Sequence, residues 1–300
     1  MSLRRIRWIG ACVVAVVIAT PSNGVAQSGL NVLITNDDGV ESPALLVLAD
    51  ALRGAGHRVT IVAPSANRSG SSMSITSGGQ LTITEVEGAE STWHVSGTPA
   101  DAVSVGLVYV LRDDPPDLVL SGPNFGQNVG ANVLQSGTVG AAMTAARAGV
   151  PAIALSVEVD LREATSERRF GSTMDAFPGA AAFVVDVVRQ LQESGGEGLL
   201  PPRAVLNVNY PAVGSEEPAG VRFASVSTVR GFRQTYGVNE TTGAIGIQAM
   251  PGPVERAEDG SDVALLAEDI VTVSVLGGSL DMGPDAWEPL LRRLVIERVP

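Results

Sequence analysis

Residues 30–63, LNVLITNDDGVESPALLVLADALRGAGHRVTIVA, read as strand, turn, helix and strand. Leu30 to Thr35 is a short apolar run ending in acids and glycine, as expected of a buried strand. From Ser42 to Gly56 the apolar residues take helical spacing, with Leu45, Leu46, Leu48, Ala49 and Leu52 on one face. Ser42 suits the N-cap and Pro43 the first helical position, while Gly54 and Gly56 can stop the helix. Arg58 to Ala63 follows as a second strand, and a β-α-β opening implies a parallel sheet.

The alternation continues outward. Helices are predicted at Pro99–Leu111, Thr138–Ala148 and Phe177–Leu191, and strands at Asp117–Ser121, Ala152–Val157 and Ala204–Asn209. This pattern predicts an α/β fold with a Rossmann-like, doubly wound, mostly parallel sheet. Beyond residue 213 the alternation lapses. Strands near Val221–Val226 and Ile270–Val275, a final helix at Pro284–Ile296 and Gly/Pro/acid-rich connections suggest an appended β-rich arm over 214–300, with the core at 27–213.

The first 26 residues have the order of an export signal: Arg4, Arg5 and Arg7, an apolar run from Trp8 to Ala19, then Gly24 and Ala26. The run is shorter than the roughly 20 residues a bilayer span needs, so no stable membrane span is expected after cleavage, and the product would be periplasmic or secreted. Cytoplasmic residence is the alternative. The single cysteine, Cys12, lies in that segment, which removes thiol chemistry and disulfides from the mature chain. With 45% hydrophobic and 17% charged residues among 300, the chain has ample material for a core. Its net charge of −12 excludes a role in coating nucleic-acid duplexes, which depends on basic phosphate contacts. A small phosphorylated substrate stays compatible, because a bound cation reverses the local field.

In an open α/β sheet, ligands bind beyond the carboxyl ends of the strands. Asn36, Asp37, Asp38 and Gly39 follow the first strand, Ser69 to Ser72 follow the second, and Ser121 to Asn124 follow the strand at Asp117. Adjacent carboxylates repel, and a hard divalent cation with oxygen ligands allows both to stay charged. By itself, the pair reads equally as one helix cap and one solvated acid. Ser69 and Asn124 add neutral oxygen donors, and no Cys or clustered His recruits a softer metal, which points to one Mg²⁺ or Mn²⁺. His57 and His94 stand alone and read as structural. Gln135-Ser136-Gly137-Thr138 opens a helix and can bind an anion or simply cap the helix; Gly70, between Ser69 and Ser71, offers an anion nest or a loose loop. Arg68 is either a phosphate partner or solvated, and Asn36 and Asn128 are further candidates to orient phosphate or water.

Together these segments closely resemble the SurE family of metal-dependent nucleotidases. The likeness runs through Ile34-Thr35-Asn36-Asp37-Asp38-Gly39-Val40, Ala63-Pro64 with Asn67-Arg68-Ser69-Gly70, Gly97-Thr98-Pro99-Ala100-Asp101, Ser121-Gly122-Pro123-Asn124 and Ser136-Gly137-Thr138-Val139. It extends more weakly to Leu206–Pro211 and Gly260-Ser261-Asp262. The resemblance implies that Asp37, Asp38, Ser69 and Asn124 ligate one divalent ion per subunit. It also implies hydrolysis of nucleoside 5′- and 3′-monophosphates, and a C-terminal hairpin and helix exchanged within a homodimer or homotetramer. Asp37 is the preferred base over Asp38. A broader phosphomonoesterase or exopolyphosphatase is the nearest alternative. An aspartyl-phosphate enzyme and an exported, non-enzymatic nucleotide-binding protein are further rivals. Few aromatics offer base stacking; Phe125 and Tyr236 are the candidates, each also readable as core or surface filler.

Overall fold

The computed structural model describes residues 29–194 and 198–277; the predicted signal segment with Cys12 and the predicted final helix lie outside them. Strands β1 (Asn31–Thr35), β2 (Arg58–Pro64), β3 (Ile83–Glu85), β4 (Thr92–Val95), β5 (Leu118–Phe125), β6 (Ala152–Val157), β7 (Val205–Tyr210), β8 (Gly220–Phe223) and β11 (Ile270–Leu276) form one sheet. Its order is β3-β4-β2-β1-β5-β6-β7-β11-β8. Pairings from β4 through β7 are parallel, and the sheet winds outward in both directions from β1. The crevice between the ends of β1 and β5 is therefore the switch point where a ligand is expected.

β1 is buried along its whole length, and its alternation serves two cores. Val32 and Ile34 pack toward α1 (Pro43–Gly54) and α4 (Gly171–Glu193), whereas Leu33 faces α2 (Pro99–Val105) and α3 (Gly137–Arg147). This two-sided burial explains the unbroken apolar run in the sequence. Ser42 stands at the N-cap of α1 but makes no side-chain cap bond; Pro43, which needs no amide partner, opens the helix.

Three elements differ from expectation. The helix predicted through Leu111 stops at Val105 and gives way to a π-turn at Gly106–Val110. There, any Cβ on Gly106 would sit 2.8 Å from Leu33, so packing against β1 sets the local geometry. The strand predicted to end at Ser121 continues to Phe125, with a register shift between Ser121 and Asn124. Gly122 and Pro123 gave the loop signal; they occupy an irregularity of the kind that re-aims side chains beside active sites. Finally, the main sheet does not stop at residue 213. β11 pairs antiparallel with β7, and β8 pairs parallel with β11. Only β9 (Phe232–Val238) and β10 (Ile245–Pro251) stand apart as an antiparallel pair. The short helix α5 (Asp262–Leu266) precedes β11. Among the described residues, no helix is long and apolar enough to cross a membrane.

Candidate active site

The turn after β1 is built by Asn36. Its Nδ2 donates to the Gly39 carbonyl at 2.9 Å and its Oδ1 accepts the Gly39 N–H at 3.1 Å, so both ends of the amide are used within the turn. Asn36 is a turn-former that presents the two acids, not the phosphate ligand expected from sequence.

Asp37 lies at the mouth of α3. Thr138 Oγ1 donates to its Oδ1 at 2.7 Å. Burial pushes the Asp37 pKa up, and bonds from the Thr138 hydroxyl and the N–H groups of Thr138 and Gly137 draw it part of the way back. This helix start holds the protein's own carboxylate, with Thr138 and Gly137 donating to Asp37. Gly137 has no room for a side chain: a Cβ would lie 2.7 Å from Ser71 Oγ and 2.8 Å from Asp37 Cβ and Oδ2. One turn on, a Cβ at Gly140 would strike the Ser72 carbonyl at 2.1 Å, so both bare positions admit the loop after β2.

Asp38 uses one oxygen in the fold, with Oδ2 accepting the Phe125 N–H at 3.0 Å. Burial, with the Asp37 charge adding to it, raises its pKa to about 6. A cavity of about 390 Å³ opens beside Asp37, its lining including Asp37, Ser69, Gly70, Asn124, Asn128 and Ser136. Among the described residues no Arg or His lines it, and the chain contains no lysine. The Arg68 guanidinium, the one sequence candidate to neutralise a phosphate, instead donates to the Ser96 carbonyl at 3.2 Å.

The neutral donors are oriented by the fold. Asn124 Nδ2 donates to the Gly126 carbonyl at 2.5 Å, which leaves Oδ1 for the cavity. Ser136 caps α3 by accepting the Val139 N–H at 3.0 Å; its own O–H remains a donor. Asn128 Nδ2 donates to Ser156 Oγ at 2.8 Å, and its backbone is clamped by β7, where Asn209 accepts its N–H at 2.7 Å and Asn207 donates to its carbonyl at 2.9 Å. Ser71 Oγ is buried without a partner. Two carboxylates, the Ser69 hydroxyl and the Asn124 amide oxygen make an all-oxygen set suited to a hard divalent cation. Among the described residues, no three His, Cys, Asp or Glu side chains converge. His57 is structural: its Nδ1 accepts the Leu30 N–H at 3.1 Å, and burial lowers its pKa.

Other motif residues have supporting roles. Thr98 and Asp101 form a reciprocal capping box, and Asp101 also holds Thr76. Burial of Asp101 raises its pKa, but these bonds outweigh burial and the net shift is downward. Asp262 accepts the N–H groups of Gly130 and Ser227, both at 2.9 Å, which fixes the loop after Asn128. Phe125 lines the cavity, whereas Tyr236 does not. Phe170, Phe232, Gln127 and Asn132 also line it and were missed in the sequence: each is an isolated residue on a loop or strand end, outside any spaced pattern.

Comparison with known proteins agrees with this architecture. The family model for Survival protein SurE matches residues 32–232. The chain is 40% identical over 194 residues to a protein named 5′-nucleotidase SurE from Rhizorhabdus wittichii, covering 64% of this chain and 71% of that one. A protein of the same name from Roseobacter denitrificans is 36% identical over 265 residues, covering 84% of this chain and 95% of that one. The crystal structure of SurE protein from Aquifex aeolicus superposes with a TM-score of 0.68 at 30% identity, covering 88% of this chain and 98% of that one. The chain belongs to the SurE family.

Proposed function

We propose that the protein is a divalent-metal-dependent 5′-nucleotidase that hydrolyses nucleoside 5′-monophosphates, and 3′-monophosphates as well, to nucleoside and phosphate. The observation that carries this is the acidic pair at the sheet's switch point, with buried Asp37 lining a cavity that has no basic side chain among the described residues and half-buried Asp38 next to it. A phosphate monoester entering there would meet only negative charge and neutral dipoles. One Mg²⁺ or Mn²⁺ held by Asp37, Asp38, Ser69 and Asn124 would supply the missing charge and lower the pKa of water.

The chain's own residues do the rest. Asp37, which lines the cavity, is the base that takes a proton from the attacking water; its burial keeps it more basic than an ordinary carboxylate. Asp38 does not line the cavity and holds its position through Phe125. The Ser136 O–H and the Gly70 backbone hold phosphoryl oxygens. The water oxygen bonds to phosphorus, the ester P–O bond breaks, and the leaving nucleoside oxygen takes a proton from bulk water while Asp37 returns the one it accepted to solvent. The names and coverage of the relatives support the same reading.

The test is phosphate release from nucleoside 5′- and 3′-monophosphates, ribose 5-phosphate and polyphosphate with Mg²⁺ or Mn²⁺, with EDTA as control. Release from nucleotides that EDTA abolishes is expected. A folded, metal-loaded sample that releases nothing from any ester refutes the proposal. Homodimeric or homotetrameric assembly and export after cleavage near Ala26 belong to the same proposal, checked by light scattering and by N-terminal sequencing of the secreted product.

A further inference from the structure

Among the carboxamides that line the cavity, Asn124 and Asn128 have the NH₂ group engaged, by the Gly126 carbonyl and by Ser156. In Gln127 and Asn132 the oxygen is the engaged atom. The Val159 N–H donates to Gln127 Oε1 at 3.0 Å, and the Phe232 N–H donates to Asn132 Oδ1 at 3.2 Å. A backbone N–H can only donate, so these contacts fix which end of each carboxamide is oxygen. Both residues line the cavity, and their NH₂ groups have no partner among the described residues.

The same cavity is also lined by aromatic residues. Phe125 and Phe170 meet at 5.5 Å with their planes at 79°, forming a corner in which a flat ring can lie on one and meet the other edge-on. Phe170 holds a left-handed backbone, φ +55°, which is unusual for a bulky residue and is found where a side chain is needed in one place. Phe125 also ties this lining to the acidic pair, because its N–H donates to Asp38.

We propose that Gln127, Asn132, Phe125 and Phe170, which line this cavity, form a nucleobase subsite whose Gln127 and Asn132 donors select 6-oxopurines over adenine; the proposal rests on the nucleotidase reading above. Guanine and hypoxanthine offer O6 and N7, two neighbouring acceptors, where adenine offers N7 beside the N6 amino donor. An NH₂ group facing N6 leaves both donors unpaired in a partly desolvated site.

The test is titration calorimetry of the full chain with guanosine, inosine, adenosine and ribose, ligands without phosphate whose binding requires no turnover. Guanosine and inosine are expected to bind about tenfold more tightly than adenosine, the discrimination expected of one such hydrogen-bond pair. Ribose should not bind measurably. Gln127→Glu and Asn132→Asp keep an oxygen for the backbone N–H and replace the donor by an acceptor, so each should narrow or invert the ratio. Phe170→Ala should weaken all three nucleosides. Adenosine bound as tightly as guanosine, a ratio unmoved by both carboxamide variants, or no nucleoside binding would overturn the subsite. Ribose 5-phosphate hydrolysed as efficiently as any nucleotide would also overturn it and leave the phosphatase standing. Selective guanosine binding without release from any ester would uphold the subsite and remove the catalytic reading.

Discussion

Asp37 receives a hydroxyl and the opening amides of α3, and each of those donors can be removed separately. Thr138→Val keeps the shape of the side chain and deletes the hydroxyl. Loss of a group that orients a metal ligand typically costs about 10–100-fold in metal affinity or activity. The expected outcome is a fall of that size in kcat/KM, read from phosphate release at varied Mg²⁺, with an unchanged circular dichroism spectrum. Asp37→Asn removes the base and should lower the rate by about 10²–10⁴-fold. Its effect on stability has the opposite sign. A desolvated charge is lost, so the metal-free variant should melt higher than the wild type toward neutral pH. An Asp37→Asn protein that keeps its activity would refute the assignment of the base.

At the scale of elements, α3 approaches the loop after β2 only because Gly137 and Gly140 are bare on that side. Gly137→Ala would drive a methyl into Asp37 and Ser71, and overpacking of this kind costs about 1–3 kcal/mol. Gly54→Ala at the end of α1 is the matched control: nothing lies within 4 Å, and the change should stabilise by about 0.5–1 kcal/mol. Urea unfolding of the two variants should give shifts of opposite sign; equal shifts would show that the α3 contact is looser than described. The same contrast explains what the sequence disclosed. β1, β2 and β6 were legible because strands buried on both faces leave unbroken apolar runs. The continuation of β5 was not, since Gly122 and Pro123 carry the local signature of a loop, and only pairing with β6 extends the strand past them. Asp37, Ser69, Asn124 and Ser136 were found at strand ends and a helix start, where the topology concentrates polar groups. The supporting roles of Asn207, Asn209 and Asp262 depend on contacts across the sheet that no local pattern encodes.

At the scale of the whole molecule, three acids at the carboxyl ends of the central strands have raised pKa values: buried Asp37 and half-buried Asp38 after β1, and half-buried Glu158 after β6. Burial is the largest cause of the Glu158 shift to about 7, with Asp269 and Asp160 adding to it and the Ala212 N–H opposing it. An acid whose folded-state pKa lies above its unfolded value carries no penalty while both states are protonated, and stability falls as pH rises between the two values. The window runs from about 3.8 to about 6 for Asp38 and from about 4.5 to about 7 for Glu158. Asp101 acts in the opposite sense, its contribution being lost as pH falls through its lowered pKa. The metal-free protein should therefore be most stable near about pH 4–5 and weaken toward neutrality. Glu158→Gln separates the two sources of that decline. The amide oxygen can still accept the Ala212 N–H at Oε2's position, while the titrating proton is gone. At about 1.4 kcal/mol per pKa unit, the variant should gain up to about 3.5 kcal/mol above pH 7 and change little below pH 5. Melting curves of both metal-free proteins across this range provide the measurement. Parallel pH profiles would show that Glu158 is not the titrating group. If the profiles converge below pH 5, any decline that persists in Glu158→Gln belongs to the Asp37–Asp38 pair or to Asp262, whose pKa burial also raises, and the part that millimolar Mg²⁺ removes is the pair's.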